Sequence, residues 1–140
     1  MYMWGTDTSG SLLKPTDRQD EKKIDVPTLT EDWKKTLSDD ESAPNFGVGI
    51  SKVVCGATDT AWILSNGKCY VAGENKQGQL GQGHKNPVTK PVQVILPTEG
   101  VTVKDAALGP SFAAYVDSEG DLYTAGFGGS AFAGLGALGT

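Results

Sequence analysis

Few residues in this 140-residue sequence have the types and spacing that chemistry requires. The nearest to a motif is Gly126-Phe-Gly128-Gly-Ser-Ala131, which follows the strand-like Leu122-Tyr-Thr-Ala125. A strand running into G-x-G-x-x-A is a variant of the dinucleotide fingerprint, whose glycines let backbone approach a pyrophosphate at a helix N-terminus. That chemistry also needs an acidic residue about 20 positions further on, and the same place in other copies of the pattern reads as a loop between strands. Nucleotide binding is therefore not expected. His84, beside Lys85 and Asn86, has no second His or Cys at metal-ligand spacing, so it reads as a loop-tip residue rather than a general base or zinc ligand. Asp39, Asp40 and Glu41 are consecutive; they diverge on any backbone and form a solvated face. Cys55 and Cys69 lack CxxC spacing and are expected to be buried, reduced thiols acting as small apolar residues. No catalytic set, metal site or cofactor is implied, and enzyme activity is not expected.

The bulk composition points the same way. A hydrophobic content of 38% with nineteen glycines is turn-rich, closer to an all-β array than to a helical bundle. The net charge of −5 argues against nucleic acid as a partner, since affinity for the phosphate backbone comes from clustered Lys and Arg. No apolar run approaches the 18 residues of a membrane span. The N-terminus shows no basic region followed by an apolar core, so an intracellular setting is expected.

What the chain does hold is a repeat. Tyr70-Val-Ala-Gly73 recurs as Tyr123-Thr-Ala-Gly126 and, earlier, as Tyr2-Met-Trp-Gly5. Gly5, Gly10 and Leu12 align on Gly73, Gly78 and Leu80, and Gly134-Leu135-Gly136 answers Gln79-Leu80-Gly81. Gly56 matches Gly109, and Gly67 matches Gly120, at the same offset of 53 residues that separates Tyr70 from Tyr123. A period of about 50 residues means a repeat array or propeller.

These copies define the elements. Val48–Cys55 and Thr60–Leu64 read as strands, joined through Ser65-Asn66-Gly67 to a strand closing on Gly73. Asn-Gly between apolar runs predicts a type I′ hairpin turn, with Glu119-Gly120 as a weaker version. The loop after Gly73 carries Gly78, Gly81 and Gly83, and Pro91–Leu96 alternates as a fourth strand beginning with proline. Val101–Leu108, Ala113–Val116 and Leu122–Ala125 begin the next unit. Four short strands per copy make a propeller blade. The expected fold is all-β: consecutive four-stranded antiparallel blades in an incomplete ring. Residues 1–13 end a preceding blade, 48–100 form one repeat, and 101–140 a second, truncated one.

Residues 14–47 interrupt this pattern with a charged insertion. Thr28-Leu-Thr-Glu31 has capping-box spacing, and Leu29, Trp33 and Leu37 fall on one stripe of a short helix near 29–38. That stripe either covers a neighbouring blade or docks onto a partner. Tyr2-Met3-Trp4 is expected to be a strand whose hairpin partner is missing.

The run Tyr70-Val-Ala-Gly73-Glu-Asn75-Lys-Gln-Gly78-Gln-Leu80-Gly81-Gln-Gly83, followed by Pro91-Val92, strongly resembles the regulator of chromosome condensation repeat family. The resemblance covers about three quarters of the chain. It implies a ring of about seven blades, of which this chain would supply two units and one further strand. The family's His at the start of the third strand is replaced here by Asp59 and Phe112. The resemblance implies a non-catalytic interaction or scaffold module within a larger assembly, with other protein subunits and the remaining blades as partners. The alternative is a guanine-nucleotide exchange factor for a small GTPase. A light sensor like the plant ultraviolet-B photoreceptor would need clustered tryptophans, whereas Trp4, Trp33 and Trp62 lie in different copies.

Overall fold

The computed structural model describes residues 49–127, together with the backbone of two strands nearer the N-terminus. Those two are β1 (Tyr2–Thr6) and β2 (Lys23–Leu29). The rest run β3 (Ile50–Cys55), β4 (Asp59–Leu64), β5 (Cys69–Gly73), β6 (Val88–Gln93), β7 (Val103–Leu108), β8 (Phe112–Asp117) and β9 (Leu122–Gly126). They form an antiparallel four-stranded sheet, β3-β4-β5-β6, and a second sheet, β7-β8-β9. The chain therefore has the expected all-β blade architecture.

The two sheets copy each other residue by residue. Ile50↔Leu64, Val53↔Trp62 and Cys55↔Thr60 in the first become Val103↔Asp117, Ala106↔Tyr115 and Leu108↔Ala113 in the second, with the same irregularity after the opening pair. Asp59↔Gly73 and Trp62↔Tyr70 become Phe112↔Gly126 and Tyr115↔Tyr123. The turns repeat as well. Gly56 N–H donates to the Asp59 carbonyl at 2.9 Å and Gly109 N–H to the Phe112 carbonyl at 2.8 Å. Ser65 N–H reaches the Gly49 carbonyl at 3.0 Å, and Ser118 N–H the Thr102 carbonyl at 2.9 Å. Equivalent positions even touch: Lys52 on β3 forms an ion pair with Asp105 on β7.

Both hairpins differ from the type I′ expectation. Gly67 N–H donates to the Leu64 carbonyl at 2.9 Å, and Leu64 N–H to the Lys68 carbonyl at 2.8 Å. Ser65 and Asn66 are thus the central turn residues, and Gly67, at φ 82°, is the bulge residue that follows. This is a type I turn with a glycine bulge. Gly120, at φ 94°, does the same after Ser118-Glu119, with bonds from Gly120 N–H to the Asp117 carbonyl and from Asp117 N–H to the Asp121 carbonyl.

Glycine is also required where β5 and β9 end. At Gly73, φ 127°, an added Cβ would collide with the Thr58 carbonyl oxygen; at Gly126, φ 111°, it would collide with that of Ser111. The backbones lie that close because Glu74 N–H bonds the Thr58 carbonyl and Phe127 N–H that of Ser111.

One apolar core runs through both sheets, from Trp62, Leu64, Tyr70, Val71 and Leu80 to Val103, Ala113 and Tyr115. Every residue of β4 and β5 is buried, whereas β8 alternates between buried and half-buried. Since side chains alternate across a strand, both faces of β4 are covered.

Four further expectations are corrected. Tyr2–Thr6 has a partner: β2 pairs with it antiparallel, Tyr2 opposite Leu29 and Thr6 opposite Lys23. The insertion thus contributes a strand, and Leu29 ends that strand instead of opening a helix; Trp33 and Leu37 lie outside the described residues. The outer strand is Val88–Gln93 rather than Pro91–Leu96, with Pro91 inside it. It is an edge strand, where a missing N–H can face away from the ladder. Cys55 is exposed on β3, and only Cys69 is buried; both are free thiols.

Candidate interaction surface

The strands set two rims. At one end lie turns 56–58 and 109–111 and the long loop 74–87; at the other lie hairpin turns 65–68 and 118–121 and the connector 94–102. Their ionic character differs. The loop-bearing rim shows Lys76, His84 and Lys85 to solvent, and the hairpin rim shows Glu99, Glu119 and Asp121 beside Lys68.

The long loop is held from within. Asn75 is fully buried; its Oδ1 accepts from Leu80 N–H at 3.0 Å and its Nδ2 donates to the His84 carbonyl at 2.8 Å. Two tight turns follow, Gly78 N–H to the Asn75 carbonyl and Gly81 N–H to the Gly78 carbonyl. Leu80, with no exposed surface, anchors the loop in the core. Gln79 and Gly81 lie against Gly126 and Ala125 of the second blade. The bracing leaves Lys76, Gln77, His84, Lys85 and Asn86 exposed. His84 sits at the loop surface as expected, its Nδ1 accepting from Asn86 N–H at 3.2 Å. Glu74 pairs with Lys76 at 2.7 Å; the Lys76 ammonium and then the Thr58 hydroxyl hold its carboxyl below the usual value.

The hairpin rim is tied together by Asp117. Its burial pushes the carboxyl up, but donors outweigh this and hold it below its ordinary value. The Glu119 and Asp121 amides donate to Oδ1, each at 2.9 Å, and the Tyr123 hydroxyl donates to Oδ2 at 3.0 Å. Thr98 in the connector bonds the same tyrosine hydroxyl at 2.7 Å, which joins the connector to the second blade. This polar brace was missed in the sequence; its one visible signal is an Asp opening a Ser-Glu-Gly turn.

Gly56, Gly67, Gly73, Gly109, Gly120 and Gly126 sit at turns and strand ends, Tyr70 and Tyr123 pair opposite Trp62 and Tyr115, and Gly78, Leu80, Gly81 and Gly83 build the braced loop. Tyr2 and Gly5 lie in β1. Gly10, Leu12, Gly134, Leu135 and Gly136 lie outside the described residues, as do the fingerprint-like residues from Gly128 onward. Among the described residues no three His, Cys, Asp or Glu side chains converge as a metal site, and no helix is long and apolar enough to cross a membrane.

Residues 66–116 match the family described as Regulator of chromosome condensation (RCC1) repeat. The chain carries RCC1 repeats. It is 33% identical over 127 residues to the Protein RCC2 homolog of Xenopus laevis, an alignment covering 90% of this chain and 21% of that protein. The chain thus spans about a fifth of the length of such curated relatives. Among solved structures, human WBSCR16 superposes with a TM-score of 0.66 at 22% identity, covering 91% of this chain and 28% of the other. Yeast RCC1 (Prp20), in its complex with Kap60, gives 0.63 at 20% identity, covering 90% and 25%. At these identities the structures establish the fold: these sheets are blades of an RCC1-type β-propeller.

Proposed function

We propose that these blades are a non-catalytic protein-interaction scaffold inside the cell, part of a subunit or accessory factor of a larger assembly, and that partners dock on the loop-bearing rim. The observation that carries this reading is the braced loop. Asn75 and Leu80 spend their bonding and apolar surface inward, so the exposed residues are presented on a fixed frame with little left to order on contact. Yeast RCC1 (Prp20), a neighbour in fold, was crystallised bound to Kap60, which supports protein binding as the reading here. Leu29, Trp33 and Leu37 of the insertion are a second candidate contact.

The test is affinity purification of the full-length protein carrying K76A, H84A and K85A together. Loss of one or more partners by about tenfold, with unchanged thermal stability, supports the rim as a docking site; this is roughly 1.4 kcal/mol of binding. Undiminished recovery of every partner removes it. A nucleotide-release assay on the same protein separates scaffold from exchange factor: accelerated release from a small GTPase would replace the scaffold reading.

A further inference from the structure

Asp59 is a buried ionisable group that docking leaves unused. It opens β4 with only 2% of its surface exposed, and neither carboxylate oxygen has a protein hydrogen-bond partner among the described residues. Its side chain folds over Gly56, where any Cβ would overlap Oδ1, and the Leu108 Cβ of the second blade borders the same spot. Strand alternation places Asp59 with Ala61 and Ile63 on the face of β4 turned toward that blade. Tyr115 of β8 stands across this seam, its hydroxyl also buried without a protein partner among the described residues. Burial first, then Cys69 and Asp59, raise the Tyr115 phenol. The titratable groups bearing on Asp59 are therefore Glu74 just after β5, Tyr115 on β8 and, beside Tyr115, Cys69 on β5; the turn after β3 presents Gly56 and β7 presents Leu108. In the second blade the equivalent Phe112 folds over Gly109 in the same way. The backbone thus supplies a place for a side chain laid over glycine, and an apolar ring fills it as readily as a carboxyl.

The geometry points to Asp59 as a proton-operated latch on the seam between blades: neutral, it stays packed over Gly56; ionised, it is an unpaired charge in an apolar joint and loosens it. The loosening falls at the loop-bearing rim, because Gly56 N–H bonds the Asp59 carbonyl and Glu74 N–H bonds the adjacent Thr58 carbonyl. Burial pushes the Asp59 carboxyl up to about 6, its own backbone amide opposes this, and the Glu74 carboxylate adds to it. A carboxyl raised in the folded state contributes stability that is fully present below the unfolded value of 3.8 and lost as pH rises through about 6.

The experiment compares the full chain with its D59N variant, which keeps the shape and cannot ionise. The ratio of folding constants, variant over wild type, is expected to rise about 100-fold between about pH 4 and about pH 7.5. In wild type alone, hydrogen-exchange protection of the Gly56 and Glu74 amides should fall across the same range after correction for intrinsic exchange. Parallel pH profiles for the two proteins overturn the latch. Should D59N fail to fold, carboxyl titration of Asp59 in the wild type by NMR decides: a midpoint near 6 supports the latch, and one near 4 overturns it.

Discussion

The two blades share one backbone and differ in what covers it. Every ladder pair between β3 and β4 is reproduced between β7 and β8, yet β4 is buried throughout while β8 alternates. The outer faces diverge further. Cys69 opens β5 with no exposed surface, whereas Leu122, its equivalent on β9, is 66% exposed. Strand β6 lies alongside β5, and β9 has no such outer neighbour among the described residues. Hairpin geometry is therefore local, set by turn residues and close backbone contact, and it survives large changes in side chains. Burial is not local: it depends on which element stands next to the sheet, as expected for arrays that hide apolar faces only against neighbours.

That contrast can be broken by paired substitutions. The largest expected difference is at Ile63 and its equivalent Val116. I63A should cost about 3 kcal/mol, because the side chain is buried and leaves a cavity. V116A, at a half-buried position, should cost about 1 kcal/mol. Equal losses in denaturant unfolding would mean that both faces of β8 are as covered as those of β4. Next come the glycines that close β5 and β9. G73A and G126A should each cost about 2–3 kcal/mol, since positive φ and the nearby carbonyl oxygen are shared. A tolerated substitution at either site would show that the backbone copy is looser than its hydrogen bonds indicate.

Smaller effects follow. N75A should cost about 1–2 kcal/mol by stranding the Leu80 amide and the His84 carbonyl. Faster hydrogen exchange at Leu80, with strands β7–β9 unaffected, would place the effect in the loop. The smallest is L122S, expected to stay within about 0.5 kcal/mol in thermal melts. A larger loss would mean that Leu122 is covered in solution.

The repeat itself was legible because tight turns and close backbone contacts admit few residues. Gly73 and Gly126 mark strand ends that nothing else could occupy, and Tyr70 and Tyr123 fix the period between them. Less was legible where one signal serves two geometries. Asn66-Gly67 fits a two-residue type I′ loop, but also the last turn position and bulge of a longer one; the pairing of Ile63 with Cys69 selects the second. Lys23–Leu29 was hidden by its charged flanks, although Ile24 and Val26 alternate with Asp25 as a strand would. The burial of Asp59 was not legible, although its place at the start of a strand was. Carboxylates are almost always at the surface, and only the arrival of Leu108 and Tyr115 from another blade makes this one an interior group. The candidate docking rim lay between these cases: its glycines were visible in sequence, and the inward role of Asn75 was not.

The ion pair between Lys52 and Asp105 joins the same site of successive copies, and this has a consequence for how the array can grow. Two tandem duplicates of the first unit would set ammonium against ammonium there; two of the second, carboxylate against carboxylate. Neighbours at this site are matched by being unlike, so neither unit can be duplicated in tandem without setting like charges together.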